Sequence, residues 1–302
     1  MSQASDFIRN IFKEGDDKRD AGLVIPDEVK KYPDITYGNE GKHPAWQMLD
    51  VYRPKSEPEE KKLPTIIVVH GGGWVYGDKE RYQFYAADLS KRGFAVVCFS
   101  YRLAPEHTFP SSLIDSLAVL DWVEANADKY GFDLNNVFGA GDSAGGTLLA
   151  QISVFLTNNE YASMFEFKRK SKFIFKGCAL NCAAFTLSAV SDADENMGNL
   201  MNDLIGKKVT DEDLEILNVK KYITPDFPTS FVMSASEDFL RYEIYSIVES
   251  FVKNNVEFKV GFYKAYESKE PLGHVFHCNL RLPESTKCND EECNFFRELA
   301  MR

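Results

Sequence analysis

Apolar and polar positions along this chain follow two alternating rhythms. Short apolar, mostly β-branched runs recur at Thr65–His70, Phe94–Ser100, Asn136–Gly139, Lys172–Cys182, Thr229–Ala235 and Glu257–Tyr263. Runs of this length, bounded by glycine or charged residues, predict strands. An alternating stretch at Ala45–Val51 leads into Asp50–Arg53 and predicts an early strand, and the Glu- and Lys-rich Pro54–Pro64 predicts an exposed turn. Between the strands lie segments of helical spacing: Lys79–Lys91, Ser112–Tyr130, Ala144–Leu156, Leu240–Asn254 and Glu292–Met301. In Ser112–Tyr130, for example, Leu113, Leu117, Leu120 and Val123 fall on one side. Strand and helix in alternation predict an α/β fold, a mostly parallel central sheet with helices on both faces.

Two segments stand outside that rhythm, residues 1–45 and 187–224. They are polar, irregular or weakly helical, apart from helical spacing at Phe7, Ile8, Ile11 and Phe12 and at Met197, Leu200, Met201, Leu204 and Ile205. Insertions in such a fold lie over the carboxyl edge of the sheet, so these two are expected to form a cap on a single domain spanning 1–302. Their apolar residues either anchor the cap or line a pocket beneath it; both roles are compatible.

Composition narrows the function classes. The 302 residues carry a net charge of −11, and 44% are hydrophobic, which supports a sizeable core. An acidic surface repels nucleic acid and anionic membranes, so neither is an expected partner. The first twenty residues contain no uninterrupted apolar run, and stretches such as Ile66–Val69 and Phe94–Phe99 are too short to span a bilayer. A cytoplasmic protein is expected. Its six cysteines then read as reduced, mostly buried thiols. Cys288 and Cys293, near His277 and Cys278, match no usual zinc spacing, and no metal or other cofactor is expected.

The chemistry concentrates in two glycine-rich turns. Gly141-Asp142-Ser143-Ala144-Gly145-Gly146 is a G-x-S-x-G turn between a predicted strand and a predicted helix, the context that makes Ser143 a candidate nucleophile. A serine hydroxyl needs a base, and in chains with such an elbow the order is serine, acid, histidine. Only His274 and His277 follow Ser143. His274, beside Gly273 and just beyond a strand, is the preferred base; His277 is the alternative. The acid belongs after Thr229–Ala235, where Glu237 and Asp238 stand. The shorter Asp238 is preferred, and the sequence separates the two only weakly. Upstream, His70-Gly71-Gly72-Gly73-Trp74 follows a strand. Gly72 and Gly73, with Gly71 as the alternative, and Ala144 are candidate oxyanion donors through their N–H groups. Trp74, Asp142, Phe239 and Val275, which flank these motifs, are candidate pocket residues.

Together, His70–Trp74, Tyr101–His107, Gly141–Gly146, Asp238–Arg241 and Gly273–Phe276 resemble the hormone-sensitive-lipase-like esterases of the α/β-hydrolase fold. The resemblance covers about residues 45–300. It implies Ser143, Asp238 and His274 as a triad, Gly72, Gly73 and Ala144 as oxyanion donors, and a cap built from the N-terminus and a later insertion. Tyr101–Glu106 is then structural, with Arg102 and Glu106 read as an ion pair that holds active-site loops. The chain departs from the family pattern at Val275, where a glycine is frequent, and at Phe239, where a proline is frequent. Neither change removes a catalytic group, but both bear on the acyl pocket.

The resulting expectation is a serine carboxylesterase acting on short acyl esters of small molecules without a cofactor. The alternatives are a carbohydrate acetylesterase or aryl formamidase using the same triad, and, more remotely, a non-catalytic receptor of the same fold. Pairing of the edge strand or C-terminal helix into a homodimer is left open.

Overall fold

The computed structural model describes residues 3–38, 46–187 and 195–302. The strands are β1 (Val29–Thr36), β2 (Met48–Pro54), β3 (Leu63–Val69), β4 (Ala95–Phe99), β5 (Phe132–Asp142), β6 (Gly177–Asn181), β7 (Thr229–Ala235) and β8 (Phe258–Tyr263). They form one sheet in the order β1-β2-β4-β3-β5-β6-β7-β8. β1 and β2 pair antiparallel, as do β2 and β4, and every later pairing is parallel. The helices are α1 (Gln3–Asp20), α2 (Gln83–Lys91), α3 (Ser111–Ala125), α4 (Ala127–Tyr130), α5 (Ala144–Thr157), α6 (Asn159–Ser163), α7 (Glu195–Ile205), α8 (Asp211–Leu217), α9 (Glu243–Lys253) and α10 (Pro283–Ala300).

Period-2 alternation sends successive strand residues to opposite faces. Ile67, Val69, Val97 and Phe99 join the core formed with α3, α5 and α9. Their neighbours Ile66, Val68, Val96 and Cys98 join the core formed with α2 and α10. A third apolar cluster lies at the carboxyl edge, where Trp74, Val75 and Ala144 pack against Leu200, Met201 and Leu204 of α7 and against Ile8 of α1. Both odd segments therefore reach the same end of the sheet. Residues 39–45 and 188–194 of those segments lie outside the described residues, as does the side chain of Met197.

Several expected elements change at their ends. Residues 1–45 contain an 18-residue helix and the edge strand β1, whose Lys30, Lys31 and Pro33 are edge-strand residues that mask its alternation. Of the expected strand 172–182 only Gly177–Asn181 pairs; before it, the N–H groups of Lys170 and Ser171 donate to Asp121 on α3 at 2.9 and 2.7 Å. Helix α2 starts at Gln83 rather than Lys79, because the buried Lys79 is drawn into ion pairs with buried Asp50 and exposed Asp34. The span 112–130 divides at Asn126, and α4 ends on left-handed Gly131 (φ 61°). Helix α9 begins at Glu243, three residues later than expected, after the turn that carries Asp238. Helix α10 begins at Pro283, well before Glu292, with proline in its first turn.

Candidate active site

The elbow is a strained backbone held by its neighbours. Ser143, between the end of β5 and the start of α5, has φ 52° and ψ −126°, so its hydroxyl projects from the turn rather than along the strand or into α5. Few residues other than glycine occupy positive φ, and it persists only where the surroundings over-determine it. Here the Ser143 N–H donates to the Asn181 carbonyl at 2.9 Å. At Gly145 a Cβ would collide with the carbonyl oxygens of Val69 and His70, so glycine lets α5 pack against the end of β3.

Three side chains from separate loops meet at this turn. Ser143 Oγ lies 2.9 Å from His274 Nε2, and His274 Nδ1 lies 2.7 Å from Asp238 Oδ1. Asp238 is fully buried and also accepts the Ser234 hydroxyl at 2.6 Å and the Leu240 N–H at 2.9 Å. Burial works to raise its pKa, but the His274 contact and these two donors outweigh burial and hold it below the usual carboxylate range. The arrangement can pass a proton from a serine hydroxyl to an imidazole whose other nitrogen is fixed by a carboxylate. Glu237, the weakly separated alternative acid, is exposed and away from this line; its N–H donates to the Leu272 carbonyl. His277, the alternative base, is fully buried edge-on to Tyr85 at 5.0 Å, and burial pushes its pKa down to about 3.

The glycine loop wraps the other side of Ser143. Gly72 and Gly73 have φ of 118° and 61°, and a Cβ at Gly72 would strike the Tyr76 carbonyl. Gly71, the alternative donor, is engaged elsewhere: its N–H donates to the Tyr82 hydroxyl at 2.9 Å, and that hydroxyl donates to Asp142 at 2.7 Å. Asp142 is buried, and burial pushes its pKa up to about 6 despite the Tyr82 contact. His70 stacks on Tyr101 with ring centres 4.0 Å apart, and burial lowers its pKa to about 4.

Two cavities open on Ser143. One, of about 350 Å³, is apolar and lined by Ile8, Trp74, Leu187, Leu200, Met201 and Phe239 among others, with Gly73 and Ala144 at its base. The other, of about 80 Å³, is of mixed character: Asp16, Arg19, Tyr76, Tyr82, Asp142 and His274 make it the more polar of the two, and Phe12, Gly71, Gly72 and Val275 complete its wall. The four expected pocket residues thus divide, Trp74 and Phe239 facing the apolar cavity, Asp142 and Val275 the polar one. Trp74 is also a packed anchor of the carboxyl-edge cluster.

One expected contact is corrected. Arg102 pairs not with Glu106 but with Asp115 on α3, through its Nε and Nη2 at 2.8–3.1 Å. Glu106 instead receives Arg9 of α1 at 2.6 Å, because α1 crosses this loop. Residues the sequence reading missed are Ser234, Tyr82 and Asn181, together with Asp16 and Arg19 of α1. Ser234 carried a local signal, standing four residues before the acid at a strand end; the others meet the site only through long-range packing. All six cysteines are free and buried. Two donor triplets, Asp142–His277–Cys278 and Cys182–Asp238–His274, bring ligand atoms within 4.8 Å of one another, and each shares residues with the site just described.

Comparison with known proteins places this geometry. The BD-FAE family model matches residues 49–242. Esterase LipC of Mycobacterium tuberculosis is 38% identical over 129 residues, which are 42% of this chain and 30% of LipC. Carboxylesterase NlhH of the same species is 43% identical over 89 residues, 29% of this chain and 28% of NlhH. The chain thus spans about a third or less of the length of these curated relatives. Esterase B from Lactobacillus rhamnosis, solved with a tributyrin phosphonate inhibitor, superposes with a TM-score of 0.88 at 26% identity over 100% of this chain and 97% of that one. The chain belongs to the BD-FAE family and has the α/β-hydrolase fold of hormone-sensitive-lipase-like esterases.

Proposed function

We propose that the protein is a serine carboxylesterase that hydrolyses short-chain acyl esters through an acyl-enzyme. The observation that carries this reading is the unbroken line from Ser143 Oγ through His274 to Asp238, at 2.9 and 2.7 Å. Ser143 attacks the ester carbonyl while His274 Nε2 takes its proton. Asp238 holds the ring's orientation and stabilises the imidazolium. The oxyanion forms against the N–H groups of Gly72, Gly73 and Ala144, the last at the N-terminus of α5, where the helix dipole favours negative charge. His274 then protonates the departing alcohol, and a water activated by the same histidine releases the acid.

The esterase names of LipC and NlhH and the inhibited state of Esterase B support this reading. The apolar cavity of about 350 Å³ sits at the low end of ligand-pocket sizes, which suits a short acyl chain. We read residues 1–302 as one domain whose cap is built from α1 and residues 187–224; of the expected cap segment 1–45, Val29–Thr36 belongs instead to the central sheet as its edge strand. No helix among the described residues is long and apolar enough to cross a membrane.

A series of p-nitrophenyl esters of increasing acyl length, run beside acetylated sugars and N-formylkynurenine, tests the assignment. Highest kcat/KM on short acyl esters is expected. Greater activity on the formamide or on the sugar acetates would move the function to those chemistries.

A further inference from the structure

We infer that the small cavity beside His274 is the subsite for the leaving alcohol, and that it selects a small alcohol bearing further hydroxyl groups, such as glycerol. The inference rests on the esterase reading above and adds the alcohol to it.

The placement follows from where the proton must go. In ester cleavage the C–O bond to the alcohol breaks, and the imidazolium formed on His274 gives its proton to that oxygen. The alcohol therefore departs on the side His274 faces. His274 lines the small polar cavity, while the Phe239 ring lies 4.4 Å from the imidazole and lines the apolar one. Gly73 and Ala144 open to the apolar cavity and Gly72 to the polar one, so a carbonyl at Ser143 sits at their junction with its acyl chain on the apolar side.

The wall of the small cavity sets the chemistry. Asp16 accepts from Tyr76 Oη at 3.0 Å and pairs with Arg19 at 2.9 Å; Arg19 also binds Asp20 at 2.7 and 2.8 Å and donates to the Arg81 carbonyl at 2.7 Å. Tyr82 covers Asp142 in the same way. Asp16 faces Arg19 and Asp142 is held by the Tyr82 hydroxyl, so the wall offers fixed hydrogen-bond donors and acceptors. Phe12 and Val275 make part of the wall apolar, but an alkyl or aryl alcohol seated against it still strips water from the Asp16 and Tyr76 oxygens without replacement, which is unfavourable. A second hydroxyl restores those hydrogen bonds. The volume, about 80 Å³, suits a small alcohol. Asp16 and Arg19 come from α1, so the N-terminal helix supplies the alcohol specificity.

The test holds the acyl group constant. Initial rates are measured on ethyl, hexyl, choline and glyceryl monoesters of butyric acid, for the wild type and for Asp16→Asn and Tyr76→Phe. The glyceryl ester is expected to exceed the ethyl ester in kcat/KM by at least about fivefold, and either substitution to lower that ratio toward one. Tyr76→Phe removes one oxygen and keeps the ring, so it reports even if Asp16→Asn fails to fold. A ratio near one in the wild type, preference for the hexyl or choline ester, or a ratio unmoved in Tyr76→Phe overturns the subsite while leaving the esterase reading intact. Turnover of none of these esters overturns both.

Discussion

The backbone N–H of Ser143 donates to the carbonyl of Asn181, 2.9 Å away at the end of β6. The Asn181 side-chain amide donates in turn to Glu292 of α10 at 2.7 Å, and Tyr85 donates to the other carboxylate oxygen at 2.7 Å. The elbow is thus tied to a buried carboxyl on the far helix.

That carboxyl makes stability depend on pH. Burial raises the Glu292 pKa from 4.5 to about 7, with Asn181 and Tyr85 opposing only in part. A carboxyl with a raised folded pKa binds more protons in the folded state than in the unfolded state between those two values. Its stabilising contribution is therefore complete below pH 4.5 and is lost as pH rises through 7. Glu292→Gln should escape that loss, so its stability relative to wild type should improve on the order of 2 kcal/mol between pH 5 and pH 8. Urea titrations at the two pH values check this; a pH-independent difference would contradict it.

Asp238→Asn keeps the shape of the acid but donates where the His274 ring must donate. Turnover should fall by about 10³- to 10⁴-fold with folding retained. Glu237→Gln, at an exposed position, should stay within about threefold of wild type. Steady-state kinetics on a short p-nitrophenyl ester distinguish the two carboxylates.

The two histidines separate in the same assay. His274→Ala should lose about a thousandfold or more in turnover per folded molecule, and His277→Ala no more than about tenfold. His277 packs against Tyr85 and stays neutral in the fold, so its loss should register in thermal melts. The reverse ranking of rates would move the base to position 277.

Asp115→Ala should destabilise the fold by about 1–3 kcal/mol, because it removes the buried carboxylate that accepts from the backbone N–H, Nε and Nη2 of Arg102. Denaturation midpoints at constant m-value measure the effect. A cost below about 0.5 kcal/mol would contradict it.

The sequence made legible what is local or ordered along the chain. The parallel strands announced themselves because strands buried on both faces are continuously apolar, and the elbow because its glycines are fixed by close backbone approach. Ser143 and His274 were accessible through chain order and the scarcity of histidine. The partner of Arg102 was not, since Asp115 and Glu106 are both near in sequence and only the crossing of α1 assigns Glu106 to Arg9. Strand β1 was hidden by the lysines and proline that protect an exposed edge. The polar cavity was hidden too, because Asp16 and Arg19 lie more than a hundred residues before Ser143, on a helix whose spacing shows only its apolar face.

The central claim is that Ser143 is the nucleophile. Its most direct test is the turnover of a short p-nitrophenyl ester by Ser143→Ala, with the fold verified by an unchanged thermal melt. The account predicts a fall of at least about a thousandfold. Turnover within about tenfold of wild type would contradict it.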